Sequence, residues 1–217
     1  MSFQHIFFDL DGTLTDSGEG ITESGLYAFR QLGLTPPDRE EFRKMVGPPL
    51  STGFSLLGVP QERIEEAIRL YREDYNREGR YRNHVYPGIE DMLEQLKRSG
   101  CRLYVATSKP EQLAKEILSG FRLSEYFEFI AGATWDHSRE GKDAVLKYLL
   151  SLIGSTESTV MVGDTHYDVT GAHKRGIPCA GVTWGYGLRK ELEEAGAECI
   201  ADDAQQLLSY LLDPSRQ

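Results

Sequence analysis

Short apolar runs alternate with helix-spaced apolar positions along most of this chain, and the two periods mark out its elements. Five runs are bounded by loop-forming residues: His5 to Leu10, Arg102 to Thr107, Phe127 to Gly132, Thr159 to Gly163 and Cys179 to Thr183. Runs this short, without strict alternation, predict strands covered on both faces, as in a parallel sheet. Between them the spacing predicts helices. Ile89, Leu93 and Leu96 share a face before Gly100, and Val145, Tyr148, Leu149 and Leu152 share another before Gly154. Val169, Ala172 and His173 form a third, ended by Gly176 and Pro178. Strand–helix alternation of this kind predicts an α/β fold, a Rossmann-like doubly wound parallel sheet with right-handed crossovers.

One stretch breaks the rhythm. From Gly18 to Asn83 the pattern is helical only, with Ile21, Gly25, Ala28, Phe29 and Leu32 on one face. Ile64, Ala67, Ile68, Tyr71 and Tyr75 lie on another, and the loop-like Val46-Gly47-Pro48-Pro49-Leu50 lies between the two helices. So long a helical segment exceeds one crossover. The expected organisation is an α/β core of residues 1–16 and 84–217 carrying a helical cap insert of residues 17–83, with hinges near Thr15 to Gly18 and Asn83 to Pro87.

Composition narrows the class. The 217 residues are 40% hydrophobic and 27% charged, an ordinary globular balance that can bury a core without disulfides. The net charge of -10 argues against a nucleic-acid polymer or an acidic membrane surface as partner, because both need clustered Lys and Arg. An anionic substrate would therefore need a locally positive site, which a metal ion could supply. Cys101, Cys179 and Cys199 are odd in number and lack metal-site or redox spacing, so core packing in a reducing cytoplasm is the expected role. No leader pattern is evident, and no apolar run approaches the ~20 residues of a membrane span.

The candidate chemistry gathers just after the predicted strands. Asp9-Leu10-Asp11-Gly12-Thr13-Leu14 ends the first, which is where open α/β sheets bind ligands. With Leu10 extended, both carboxylates would project to one side, and two neighbouring anions call for a cation between them. Mg²⁺ with a phosphate is a natural occupant; a plain Asx-Gly turn is the alternative. Gly163-Asp164-Thr165-His166-Tyr167-Asp168 ends the fourth strand; there Asp164 can complete a metal site, or Asp164 or Thr165 can simply cap the next helix. Thr107 and Ser108 end the second strand beside an expected helix N-terminus, a phosphate cradle, although Ser108 with Glu111 also matches a capping box. Lys142 opens the helix after the third strand and could hold phosphate and nucleophile together, or be a solvated charge. Arg43 and Lys44 are candidates to meet substrate or to be solvated, and Trp135, His137 and His166 lie on expected loops outside the catalytic set. Neither G-x-G-x-x-G nor a P-loop is present.

These motifs resemble the haloacid-dehalogenase superfamily of phosphatases. Asp9 to Leu14 matches its first motif, D-x-D-G-T-[LV]; Thr107 matches the second, Lys142 the third, and Gly163-Asp164 with Asp168 the fourth. The helical insert and Val46 to Leu50 are most similar to the phosphoglycolate phosphatase group. The resemblance implies a phosphatase in which Asp9 is the covalent nucleophile and Asp11 the general acid and base. It also implies Mg²⁺ held by Asp9, the main-chain carbonyl of Asp11 and Asp164, with Thr107, Ser108 and Lys142 on the phosphoryl group and Asp168 in support. The implied substrate is a small phosphomonoester such as 2-phosphoglycolate or a nucleoside monophosphate, and the implied state a monomer or homodimer. A phosphomutase of the same superfamily and a non-catalytic regulatory binding protein are the alternatives.

Overall fold

The structure is a computed structural model that describes residues 3–136, 138–154 and 157–213; His137 lies outside the described residues. Its strands are β1 (His5–Phe8), β2 (Thr15–Asp16), β3 (His84–Val85), β4 (Arg102–Pro110), β5 (Phe127–Ala133), β6 (Thr159–Gly163), β7 (Cys179–Val182) and β8 (Cys199–Ala201). Its α-helices are α1 (Gly18–Leu32), α2 (Leu50–Leu56), α3 (Ile64–Arg77), α4 (Ile89–Arg98), α5 (Glu111–Gly120), α6 (Gly141–Ile153), α7 (His166–His173), α8 (Arg189–Ala195) and α9 (Ala204–Leu211).

Six strands form one parallel sheet in the order β5-β4-β1-β6-β7-β8. The expected doubly wound α/β core is therefore present, and its five expected strands are joined by a sixth. Cys199–Ala201 has only three residues, two of them half-buried, too short a run to stand out in the sequence. Ile6, Phe7 and Phe8 are fully buried, as a central strand covered on both faces requires. Phe7 joins Tyr104 and Met161 in a cluster with Val145, Leu146 and Leu149 of α6, Val169 and Ala172 of α7 and Leu192 of α8. On α4, Ile89, Met92, Leu93 and Leu96 form its buried stripe. Leu152 departs from expectation: it is exposed, and Leu146 takes the buried position on α6. His173 also turns outward, to Glu198 at 3.1 Å.

Succession along the sheet runs outward from β1 through β4 to β5, then resumes on the other side with β6, β7 and β8. Beside β1 the winding reverses, and that crevice is where ligands bind in open α/β sheets.

The chain divides into two compact units, Met1–Leu14 with Val85–Gln217, and Thr15–His84. The second unit is helical, with a core of aromatic edges: Phe29 meets Phe42 at 5.9 Å and Phe54 meets Tyr71 at 6.0 Å. Beside that core, Ser24 donates to the buried Asp74 carboxylate at 2.9 Å. No described helix is long and apolar enough to cross a membrane.

Candidate active site

The first parallel strand delivers Asp9 to the crevice. Its amide donates to Val162 O of β6 at 2.9 Å, so the residue is still tied to the sheet although the strand has ended. The chain then turns at once: Thr13 and Leu14 amides both donate to Leu10 O. Leu10 is therefore a bend rather than an extended residue, and the two carboxylates do not share a partner. Asp9 pairs with Lys142 and Asp11 with Lys109.

Lys142 stands in the first turn of α6 and is almost fully buried. Its ammonium lies 2.8 Å from Asp9 Oδ1 and 2.7 Å from Asp168 Oδ1, and donates to Ala106 O at 2.8 Å. Two carboxylates and one carbonyl thus surround the ammonium, the carboxylates as ion pairs and the carbonyl as its hydrogen-bond acceptor. Burial works to lower the Lys142 pKa, but Asp168 and Asp9 outweigh it and hold the group above its ordinary value. The solvated-charge alternative for Lys142 does not hold.

Asp168 serves two ends. Its Oδ2 accepts from the Thr165 amide at 3.0 Å and the Thr165 hydroxyl at 2.9 Å, closing a capping box at the start of α7. The local helix cap and the ion pair with Lys142 thus use opposite oxygens of one carboxylate.

Asp164 is fully buried, and its surroundings explain three glycines. A Cβ on Gly12 would lie 2.2 Å from Asp164 Oδ2, and Gly12 also has φ +85°, so turn and close approach both demand glycine there. Gly185 and Gly187 approach from the loop after β7, where Cβ atoms would meet Asp164 at 2.4 Å and 1.9 Å. The Tyr186 amide between them donates to Asp164 Oδ2 at 2.8 Å, and Trp184 Nε1 donates to Thr13 O at 3.0 Å. This Trp184–Gly187 loop escaped the sequence reading. A Gly-Tyr-Gly triplet after a strand was its only local signal.

Asp9, Asp164 and Asp168 each offer a carboxylate oxygen within 4.8 Å of the other two. Burial pushes the Asp9 carboxyl up to about 6 despite the pull of Lys142, with Asp168 and Asp11 adding to the rise. Burial also holds Asp164 well above the ordinary range, with Asp168 and Asp9 contributing. The group as a whole is four aspartates and two lysines, Lys142 and Lys109, all with little exposure. Fully ionised, it carries a surplus of two negative charges. That surplus and the hard-oxygen donors fit one divalent cation.

On the opposite side, Thr107 is buried where the register between β4 and β5 begins to shift, and its Oγ1 accepts from the Lys109 amide at 3.2 Å. With that lone pair occupied, the hydroxyl proton remains to donate. The Ser108 capping box does not form. Strand β4 runs through Ser108 to Pro110, and Pro110 itself precedes α5 without a side-chain cap. Among the described residues, Ser108 Oγ is buried with no hydrogen-bond partner, while Glu111 pairs instead with Arg139 and Lys115. The His166 and Tyr167 rings meet tilted at 35° with centroids 4.1 Å apart, and Trp135 is about half exposed. In the helical unit Lys44 pairs with Glu41, and Arg43 is exposed.

This arrangement of carboxylates and lysines follows the strand ends of one sheet, and the family comparison covers the same span. The model of the haloacid dehalogenase-like hydrolases matches residues 6–182, from β1 through β7. The chain belongs to that family. Among its relatives, a 5'-nucleotidase from Pseudomonas aeruginosa is 40% identical over 194 residues, covering 88% of each chain. The tyrosine-protein kinase PtkA of Mycobacterium tuberculosis is 43% identical over 202 residues, which are 93% of this chain and 69% of the relative. Among solved structures, a predicted phosphatase from Clostridium acetobutylicum superposes with a TM-score of 0.93 at 39% identity, over 98% of this chain and 99% of that one. For a haloacid dehalogenase-like hydrolase, the doubly wound α/β core is the fold the sequence resemblance implies.

Proposed function

We propose that this protein is a phosphatase that hydrolyses a small phosphomonoester through an aspartyl-phosphate on Asp9, with Mg²⁺ as cofactor. The observation that carries the reading is the state of the Asp9 carboxylate. Its Oδ1 is occupied by Lys142 and by the Leu10 amide at 2.7 Å, while among the described residues no donor reaches Oδ2. One oxygen fixes the group and the other is left to react.

Asp9 Oδ2 attacks phosphorus, a P–O bond forms, and the bond to the leaving oxygen breaks. Asp11 gives its proton to that oxygen, then takes a proton from the water that cleaves the acyl phosphate. The Thr107 hydroxyl and the Ser108 segment bind the transferring phosphoryl oxygens. Lys142 keeps Asp9 oriented and its positive charge close to the developing negative charge. Mg²⁺, held by Asp9, Asp164 and the main-chain carbonyl of Asp11, would neutralise the carboxylates and the phosphoryl oxygens together. Asp168, with both oxygens already engaged, orients Lys142 rather than ligating the ion. The helical unit takes the role of a cap that selects the substrate.

The relative named 5'-nucleotidase supports a nucleoside monophosphate as substrate, beside the 2-phosphoglycolate class that the loop Val46 to Leu50 suggests. The relative named a tyrosine kinase supplies a second reading, transfer to a protein hydroxyl. Both are tested by inorganic-phosphate release across a panel of nucleoside monophosphates, 2-phosphoglycolate, hexose phosphates and ATP, with Mg²⁺ and with EDTA. Mg²⁺-dependent release that is lost in Asp9→Asn supports the phosphatase. Activity that survives Asp9→Asn overturns the nucleophile. Labelling of protein tyrosine from ATP without phosphate release would favour the kinase, and isomerised hexose phosphate the mutase.

A further inference from the structure

Lys109 lies outside the motifs shared with the family, yet with Lys142 it is one of two lysines whose side chains are sheltered in the site. Its ammonium is 2.7 Å from Asp11 Oδ2, and the two side chains are only 7% and 13% exposed. An ion pair this sheltered escapes the solvent screening that weakens surface pairs. The backbone beneath it is fixed on two sides. The Lys109 amide donates to Thr107 Oγ1, and Gly132 of β5 comes so close that a Cβ there would lie 2.4 Å from Lys109 O. The register between β4 and β5 shifts between Ala106 and Pro110, which is where Lys109 falls. The chain therefore departs from regular strand geometry at the residue that reaches Asp11.

Asp11 itself is held asymmetrically. While Oδ2 takes the ammonium, Oδ1 is buried and has no hydrogen-bond partner among the described residues. A buried acceptor left unpaired is costly and calls for a role. The terminal torsion of an aspartate is soft, so a carboxylate without an anchor samples a broad range of orientations.

We propose that Lys109 is a positioning residue for Asp11. By holding Oδ2 with one charge-assisted hydrogen bond, it presents Oδ1 as the oxygen that passes the proton to the leaving group. The inference rests on the assignment of Asp11 as general acid made above. A merely structural ion pair would support the fold without favouring one leaving group over another.

Leaving-group dependence separates the two roles. An alkoxide needs a proton to depart, whereas p-nitrophenolate leaves without one. The experiment compares kcat/KM for a nucleoside 5'-monophosphate and for p-nitrophenyl phosphate at saturating Mg²⁺, in wild type, Lys109→Met, Lys109→Arg, Asp11→Asn and the Asp11→Asn/Lys109→Met double variant. Only steps up to departure of the leaving group enter kcat/KM, so hydrolysis of the phosphoenzyme does not interfere. The ratio of the two values is also independent of the fraction of protein that folds.

General acid catalysis is worth roughly 10²- to 10⁴-fold, so Asp11→Asn should lose about that much on the alkyl ester and far less on the aryl ester. Lys109→Met should lose about tenfold or more on the alkyl ester, with a smaller loss on the aryl ester. Lys109→Arg should recover part of it, and the double variant should be no worse than Asp11→Asn. Equal losses on both esters in Lys109→Met, or a further alkyl loss in the double variant, would overturn the positioning role while leaving Asp11 in place. An Asp11→Asn variant that does not discriminate between the esters would overturn the general-acid assignment and the inference with it.

Discussion

The two ends of the parallel sheet both carry charged networks, and they differ in one property. At the starts of β1 and β4, Arg102 meets Glu128 through Nε at 2.8 Å and 2.9 Å, Tyr104 donates to Glu128 at 3.2 Å, and His5 reaches the Tyr104 hydroxyl at 3.2 Å. At the strand ends, Lys142 meets Asp9 and Asp168 at similar distances. The Arg102 and Glu128 side chains are 56% and 43% exposed, against 2% for Lys142 and none for Asp168. Charge-to-charge distances are similar at both ends. Water screens one network and leaves the other to interact at close to full strength. A charged cluster of ordinary distances becomes a reaction centre only when the fold removes water from it, and the cost of that removal is met by mutual pairing.

The comparison can be broken at several points. The largest stability effect is expected in Lys142→Met, which leaves Asp9 and Asp168 buried without their cation. Denaturant unfolding should show a loss of about 3–5 kcal/mol in the metal-free protein. A loss no greater than that of a surface substitution would mean the cluster is solvated after all.

Gly12→Ala comes next. It forces an L-residue to φ +85° and puts a methyl 2.2 Å from Asp164 Oδ2. Displacing that carboxylate should weaken Mg²⁺ binding by roughly 10- to 100-fold in calorimetric titration, and unchanged affinity would remove Asp164 from the ligand set.

The third test is linkage with pH. An aspartate with a folded pKa above its unfolded value of 3.8 stabilises the fold below pH 3.8 and loses that contribution as pH rises through the folded value. For Asp9 the loss begins near 3.8 and is complete once pH has passed about 6, and Asp164 shifts in the same direction. The metal-free protein should therefore lose stability from these groups as pH rises from about 4 past 6, and the gain in Tm on adding Mg²⁺ should be larger at about pH 7.5 than at about pH 5. An Mg²⁺ gain that is flat with pH would contradict the buried, mutually repelling carboxylates.

Arg102→Gln, at the exposed end, should leave phosphate release unchanged and move Tm least of all. A loss of activity there would show that the two ends of the sheet are coupled.

The sheet and most of the site were legible because both follow local rules. Apolar runs of five or six residues mark buried strands; Asp9, Asp11, Thr107 and Asp164 lie at or just past their ends, and Lys142 opens the helix after the third, where a parallel sheet must place its ligands. The missing parts share a different character. Lys109 looks like one more solvated cation until β4 carries it to Asp11, 98 residues away in sequence. The Trp184–Gly187 loop acquires meaning only through Asp164 and Thr13, 171 residues from Trp184 in the latter case. Ser108 misled for a related reason: Ser-x-x-Glu is a capping signal only where a helix begins, and tertiary pairing extends β4 through that position. Short-range pattern reports elements and their ends, whereas the partner a side chain finds across the sheet is a property of topology.

The account's central claim is that the buried, half-engaged Asp9 carboxylate accepts the phosphoryl group. The most direct measurement is an acid quench of the enzyme during turnover with Mg²⁺ and substrate, followed by reduction of acyl phosphates with borohydride and peptide mass mapping. The account predicts conversion of Asp9 to homoserine in wild type, greater in Asp11→Asn with p-nitrophenyl phosphate, whose departure needs no proton while hydrolysis of the intermediate is slowed, and none without substrate. Turnover with no modification at Asp9 in either protein, or modification at Asp11, Asp164 or Asp168 instead, would contradict it.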